Sequence, residues 1–242
     1  TIMRYLILAA GMGKRMGNAH AGLPKCLIDI NGELLIERLL WQIRQYDAWA
    51  DIHVVLGYKS EVITPLVDGC KIIVNPFFDI TGINASLWFA RASFDQPLMV
   101  IHGDVVLSDE LADKLFTMEA ESLVTYDSSV LDPKEINITV ADGRVTRFGV
   151  NFSGYSGAYA GVFKLSAHAA RLFADTIDRR VRRGFNESRT YYFFVMRKLI
   201  ADSDVLFVPF DFACYRWKEI DYFEDIAVAR TRIDGRGNAD AC

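Results

Sequence analysis

The sequence is poor in features that would commit it to the commoner functional classes. It has four cysteines, Cys26, Cys70, Cys214 and Cys242, and no CxxC pair among them. That spacing argues against a zinc site or a disulfide framework and fits a reducing compartment. No apolar run approaches the ~18 residues of a membrane span. The amino-terminal MRYLILAAGMG is too short for a signal sequence, and lysine and arginine follow where a cleavage site should stand. A cytoplasmic protein with no membrane partner is therefore expected. Positive charge is not in excess: 27 Lys and Arg stand against 31 Asp and Glu, a net charge of −4, so nucleic acid is not an expected partner. What remains, 51% hydrophobic and 24% charged over 242 residues, is ordinary for a soluble globular chain and allows one large α/β domain with ample core.

The most informative stretch is 6–31, LILAAGMGKRMGNAHAGLPKCLIDIN. A short apolar run at 6–10 stops at Gly11, which reads as a buried strand feeding a loop at its carboxyl end. Open α/β sheets hold their ligands at that edge. The loop carries Gly11, Gly13, Lys14, Arg15 and Gly17, then Leu23-Pro24-Lys25. Glycines let a backbone approach a ligand and aim N–H groups at it, while Lys and Arg add positive charge. An anion is implied, and a polyphosphate suits this density of donors. Two common glycine-loop motifs fail on spacing. A Walker loop needs Ser or Thr after Gly-Lys, and Arg15 stands there. The dinucleotide fingerprint needs its third glycine at relative position six, one residue before Gly17. A basic surface loop joining two strands is the bland alternative.

At these residues the chain resembles the nucleoside-triphosphate transferases, which activate phosphorylated sugars and related alcohols. Their opening pattern, L-A-A-G-x-G-x-R followed by P-K, is matched by Leu8, Ala9, Ala10, Gly11, Gly13, Arg15, Pro24 and Lys25. The resemblance implies a Rossmann-like three-layer α/β/α fold. The residue pattern agrees: helix at 33–46 after an Asn31-Gly32 turn, strand at 52–56, helix at 60–67 capped by Ser60, strand at 71–74. Strands alternating with helices point to a mixed, mostly parallel sheet. Residues 136–150 alternate around Asp142-Gly143, a strong hairpin signal, and suggest a small antiparallel insertion that contributes to the second substrate's pocket. A single helix is expected over 187–201. The domain is expected to span 1–233, its nucleotide-binding half about 1–130 and its acceptor-binding half about 131–233, with a flexible tail at 234–242.

Further along, Asn84-Ala85-Ser86-Leu87 at a helix start reads equally as simple capping or as an anion site. It resembles the active-site helix of the branch making CDP-activated phosphocholine and phosphonates, with Ile83 where a second asparagine often falls. Asp104 follows the buried strand at 98–102; alone it could be a turn residue, and the resemblance implies a magnesium ligand. Near the end, Trp217-Lys218-Glu219-Ile220-Asp221, with Asp225 beyond, resembles the family's closing W-x-E-I-D. There Asp221 would be the second ligand, although a strand-end helix cap is the plain alternative. No D-x-D of the metal-dependent glycosyltransferases is present at Asp104-Val105-Val106. The basic run at 179–183 is best explained as a solvated helix end.

The expected reaction is nucleotidyl transfer. Lys25 and Arg15 would act on the phosphates, and Leu8, Ala9, Ala10, Gly11, Gly13, Asn84 and Ser86 would bind the nucleotide. Asp104 and Asp221 would hold Mg2+. The short chain looks most like cytidylyltransferases joining CTP to phosphocholine, 2-aminoethylphosphonate or a similar acceptor, held by Tyr155, Tyr159, Phe152 and Glu187. A sugar-1-phosphate transferase using another nucleotide is the alternative, with a glycosyltransferase or a non-catalytic nucleotide sensor behind it. The sequence leaves the number of subunits open, a homo-oligomer included.

Overall fold

The computed structural model describes residues 3–16, 22–202 and 204–233; Gly17 and the tail expected at 234–242 lie outside them. Strand β1 (Arg4–Ala9) alternates between two cores. Tyr5, Ile7 and Ala9 join one apolar cluster, and Leu6 with Ala10 joins the other, the two-residue period of a strand covered on both faces. Strands β2 (Asp29–Ile30) and β3 (Glu33–Leu34) form a small hairpin. Its Asn31-Gly32 turn has φ of 55° and 90°, the left-handed pair that this dipeptide tolerates. Helix α1 (Leu35–Tyr46) begins only after β3 and buries Ile36, Leu39, Leu40 and Ile43.

Strand β4 (Asp51–Leu56), helix α2 (Ser60–Ile63) and strand β5 (Lys71–Val74) follow. Ser60 is not the cap of α2: Lys59 holds that position at φ 49°, with no side-chain capping bond. Ile63 and Val67 do point inward. Then come α3 (Ile83–Phe89), β6 (Leu98–His102), β7 (Val105–Leu107), α4 (Asp109–Thr117) and β8 (Leu123–Asp127). Strands β9 (Asn137–Ala141) and β10 (Arg144–Gly149) make the expected hairpin, with Asp142 and Gly143 at φ 50° and 72°.

Strand β11 (Gly157–Leu165) leads to α5 (Ala167–Val181), whose first turn is capped by the Ser166 hydroxyl. The helix expected over 187–201 is two helices, α6 (Phe185–Ser188) and α7 (Phe193–Asp202). Between them the carbonyls of Ser188 and Thr190 accept from the N–H groups of Gly82 and Asn84, so they cannot continue a helix, and Tyr192 turns fully inward. Strands β12 (Val208–Asp211) and β13 (Trp217–Glu219) and helix α8 (Phe223–Arg232) complete the described chain.

Among the described residues the central sheet has nine strands in the order β10-β9-β11-β6-β1-β4-β5, with β8 between β11 and β12. Strands β6, β1, β4 and β5 are parallel. The β9–β10 hairpin joins the same sheet through β11, which runs antiparallel to β6. Helices α1 and α4 pack on one face, and α3, α5 and α7 on the other. The fold is thus the expected mixed α/β layering, with a mostly parallel centre. Among the described residues no helix is long and apolar enough to cross a membrane.

Candidate active site

Because β1 and β6 are parallel neighbours, with Leu8 opposite His102, both strands end at one edge of the sheet. Gly103 N–H donates to Leu8 O at 2.9 Å, and a Cβ on Gly103 would itself lie 2.9 Å from that oxygen. Only glycine allows so close a crossing. It leaves Asp104 directly beside the opening loop. In that loop Gly13 adopts φ 62°, and a side chain there would press to 3.1 Å from Cγ of Lys25.

The carboxyl-terminal part of the site is brought in by packing. Met16 is buried against Ile28, Ile30, Leu35, Val106, Ile220 and Ile226, a third apolar cluster that joins the two ends of the chain. Ile220 N–H donates to Asp104 O at 2.9 Å, and β13 pairs antiparallel with β7, Glu219 opposite Val105. Asn31 Nδ2 ties the β2–β3 turn to the end of α8 through Arg230 O at 2.9 Å and Ile233 O at 2.6 Å.

The result is a compact group of charges. Lys25 Nζ donates to Asp104 Oδ2 at 2.9 Å and to Asp221 Oδ1 at 2.7 Å, and Arg15 Nη1 donates to Asp221 Oδ2 at 2.8 Å. Burial alone would lower the Lys25 ammonium, but Asp104 and Asp221 outweigh it and hold the group above its ordinary value. Arg15 is raised in the same way, burial being opposed by Asp221 and Tyr222. Both stay cationic at any physiological pH. Next to them, His102, Asp104 and Glu219 present donor atoms within 4.8 Å of one another. Burial raises the Glu219 carboxyl, His102 opposes the shift, and Asp104 and Asp221 add to it. His102 Nε2 lies 2.9 Å from Tyr192 Oη, which donates to Tyr159 Oη at 2.8 Å, so the imidazole is anchored to a buried row of phenols.

Two cavities meet at this group. One, of about 310 Å³, is bordered by the glycine loop, Lys25, Ser86 and Asp104. The other, of about 170 Å³, is bordered by Tyr159, Trp217, Glu219, Asp221 and Tyr222. Of the residues expected to bind nucleotide, Leu8, Ala9, Ala10, Gly11, Gly13 and Ser86 line the larger cavity, together with Arg15 and Lys25. Asn84 does not line it. It is fully buried, its amide donating to Thr190 Oγ1 at 2.6 Å and Glu187 O at 3.2 Å. Of the expected acceptor residues, Tyr159 borders the smaller cavity. Glu187 is paired with Arg180 at 2.7 Å, and Phe152 packs edge-on against Tyr155 with ring centres 6.1 Å apart; none of these three borders either cavity.

Sequence reasoning missed Asn75, Phe78 and Thr81 in the wall of the larger cavity and Glu135 in that of the smaller. Asn75 carried a signal, since Asn-Pro after a strand marks a turn at the ligand edge. There its amide donates to Ser86 Oγ at 3.1 Å. Glu135 stands where the pattern turns antiparallel, but that it borders the cavity depends on how the hairpin pairs with β11.

Known proteins resemble this chain in sequence and in fold. The chain is 26% identical over 239 residues to the bifunctional IPC transferase and DIPP synthase of Rubrobacter xylanophilus, covering 95% of this chain and 51% of that protein. The chain thus spans about half the length of that relative. It is 22% identical over 253 residues to the CTP:phosphoglutamine cytidylyltransferase of Campylobacter jejuni, covering 93% of this chain and 98% of that one. Its fold superposes on the CTP:phosphocholine cytidylyltransferase of Streptococcus pneumoniae with a TM-score of 0.78 at 21% identity, over 96% and 99% of the two chains. The family model of the MobA-like NTP transferase domain matches residues 5–131. The chain belongs to that family, the nucleotidyltransferase enzymes with a MobA-like NTP transferase domain.

Proposed function

We propose that this chain is a magnesium-dependent cytidylyltransferase. It joins CTP to a small acceptor carrying a phosphate or phosphonate, such as phosphocholine or 2-aminoethylphosphonate, and releases pyrophosphate. One observation carries the reading: the Lys25–Asp104–Asp221 group stands between two cavities, with Lys25 and Asp104 on the wall of one and Asp221 on that of the other.

An acceptor oxygen attacks the α-phosphorus, and the bond to the pyrophosphate oxygen breaks. A phosphate monoester is already largely dianionic at pH 7, its second pKa being about 6, so no general base is needed. The barrier is repulsion between anions, met by positioning and charge neutralisation. Lys25 holds the α-phosphate and the incoming acceptor, Arg15 the departing β- and γ-phosphates. Backbone N–H groups from Ala10 to Gly13 line the cradle.

The donor set fits a divalent ion. Both carboxylates already aim at one cation, Lys25 Nζ, at 2.9 and 2.7 Å. Magnesium uses one or two carboxylates with phosphate oxygens and water, so Asp104 and Asp221 would hold it, with Glu219 beside them. When bound it supplies positive charge at the phosphate being transferred.

The smaller cavity favours a cationic acceptor. Asp127, Glu135, Glu219, Asp221 and Asp225 border it against Lys218 and Arg232, together with the aromatic residues Tyr159, Trp217 and Tyr222. Aromatic rings and carboxylates hold an amine or quaternary ammonium well. The uncharged ring of a sugar phosphate, the alternative acceptor, gains nothing from so many acids. Residues 1–130 would then serve the nucleotide and 131–233 the acceptor within one domain. In support, the larger cavity draws on residues 8–104 and the smaller on 127–232. Free thiols at Cys26, Cys70 and Cys214 suit a cytoplasmic enzyme.

The test is pyrophosphate release from each of the four nucleoside triphosphates, with magnesium, against a panel of phosphate and phosphonate acceptors. Release with CTP and an amine-bearing acceptor is expected. Release only with a sugar 1-phosphate would move the reading to the alternative. No release with any pair would remove it in favour of a nucleotide sensor or a glycosyltransferase.

A further inference from the structure

Asp221 N–H, one residue before the cap of α8, is not left to solvent. Asp225 Oδ2 accepts from it at 2.9 Å and from Tyr222 N–H at 2.7 Å. The other carboxylate oxygen, Oδ1, takes Lys218 Nζ at 2.8 Å. An acid in the first turn of a helix commonly reaches back to the cap residue's N–H, as Asp225 does to Tyr222. The second bond, to Asp221, lies outside the helix and adds nothing to capping. On its other side, Ile220 N–H is held by Asp104 O at 2.9 Å, and the Ile220 side chain is fully buried. The main chain of Asp221 is therefore fixed from both directions, which leaves only its side-chain torsions to set where the carboxylate goes. Lys218 also offsets a carboxylate that would otherwise repel Asp221.

We propose that Asp225 is the positioning residue for Asp221, setting that carboxylate where it converges with Asp104 on a common cation. The proposal rests on reading Asp221 as a metal ligand. Partners that orient a ligating carboxylate typically change metal affinity or activity 10–100-fold when removed, and Asp225 touches no reacting atom itself.

The test is Mn2+ binding to the full chain with CTP present and acceptor omitted, followed by the paramagnetic signal of free Mn2+ and paired with a thermal melt of each variant. Asp225→Glu retains the charge, the capping reach and the pairing with Lys218. A purely structural cap would tolerate it, whereas one extra methylene displaces the Asp221 main chain. Asp225→Asn keeps the length and an accepting oxygen for both N–H groups. The expected result is Mn2+ binding weakened about tenfold or more in Asp225→Glu, closer to wild type in Asp225→Asn, with both variants folded. Asp225→Glu binding Mn2+ as tightly as wild type, or Asp225→Asn binding more weakly than Asp225→Glu, would overturn it. Asp221→Asn is the control: if it still binds Mn2+ like wild type, the ligand reading itself fails and the positioning role falls with it. If only that control loses affinity, the positioning role alone is wrong.

Discussion

Lys25 and Asp221 are 196 positions apart in the chain, and Lys25 Nζ donates to Asp221 Oδ1 at 2.7 Å. The same ammonium bonds Asp104, and Arg15 bonds the far oxygen of Asp221. Two cations and two carboxylates thus neutralise one another. On the proposed reading, such a site would gain little from a divalent ion until triphosphate oxygens drew the lysine and arginine away.

That balance predicts the behaviour of Lys25→Met. With the ammonium gone, two facing carboxylates are left short of a counter-charge, so the variant should bind Mn2+ more tightly than wild type when no nucleotide is present. Its pyrophosphate release should fall by about 10²–10³, the usual loss for one transition-state contact. Isothermal titration with Mn2+ checks the first half. Equal affinities in the two proteins would mean that the lysine does not compete for the site.

Removing either acid should be as costly to turnover. Asp104→Ala and Asp221→Ala are each expected to lower pyrophosphate release by on the order of 10²–10³ while the circular dichroism spectrum stays native. Near-normal activity of either variant in magnesium would withdraw that residue from the ligand set.

Gly103 makes a prediction about the frame of the site. A methyl group there would lie 2.9 Å from Leu8 O and 3.2 Å from Ala9 Cβ, against the buried centre of the sheet, where neither neighbour can swing aside. Gly103→Ala should destabilise the fold by about 1–3 kcal/mol, the usual cost of overpacking. Urea denaturation would measure it. A midpoint unchanged from wild type would mean that β1 and β6 can part without cost.

At the opposite edge of the sheet, His53 predicts a pH dependence. The buried imidazole lies 2.7 Å from Ser93 Oγ through Nδ1 and 3.0 Å from Asp51 Oδ1 through Nε2. Burial lowers its pKa below the ordinary value, Asp51 opposes the shift, and Arg4 and Lys71 add to it. The folded state therefore binds this proton less readily than the unfolded chain. Stability is complete above the unfolded value of about 6.5 and declines as pH falls from there toward the lower folded value. Urea midpoints at pH 7.5 and 5.5 should differ more for wild type than for His53→Gln. An equal difference in both proteins would exclude His53 as the source.

Much of this was legible in the chain because it depends on neighbours in sequence. An apolar run cut off by glycine announces a strand that ends at a ligand edge, and Asn31-Gly32 and Asp142-Gly143 tolerate the left-handed backbone their turns require. Asp104 is seated by a strand only a few residues long. What misled was the assumption that local pattern has no competitor. The periodicity over 187–201 is helical, yet Gly82 and Asn84 claim the carbonyls of Ser188 and Thr190 and break it. Glu187 looked like a residue free to meet a ligand, but it is tied to Arg180 at 2.7 Å.

By itself the sequence determined the glycine loop, the parallel strands that carry it and the identity of the charged residues, since these follow from backbone preference and short-range periodicity. Which of those charges meet was decided only by the tertiary structure. Met16 and Ile220 share one buried cluster, and no local rule states that burying those two side chains together brings Arg15 and Lys25 onto Asp221. Long-range apolar packing chose the partners, and the charges followed.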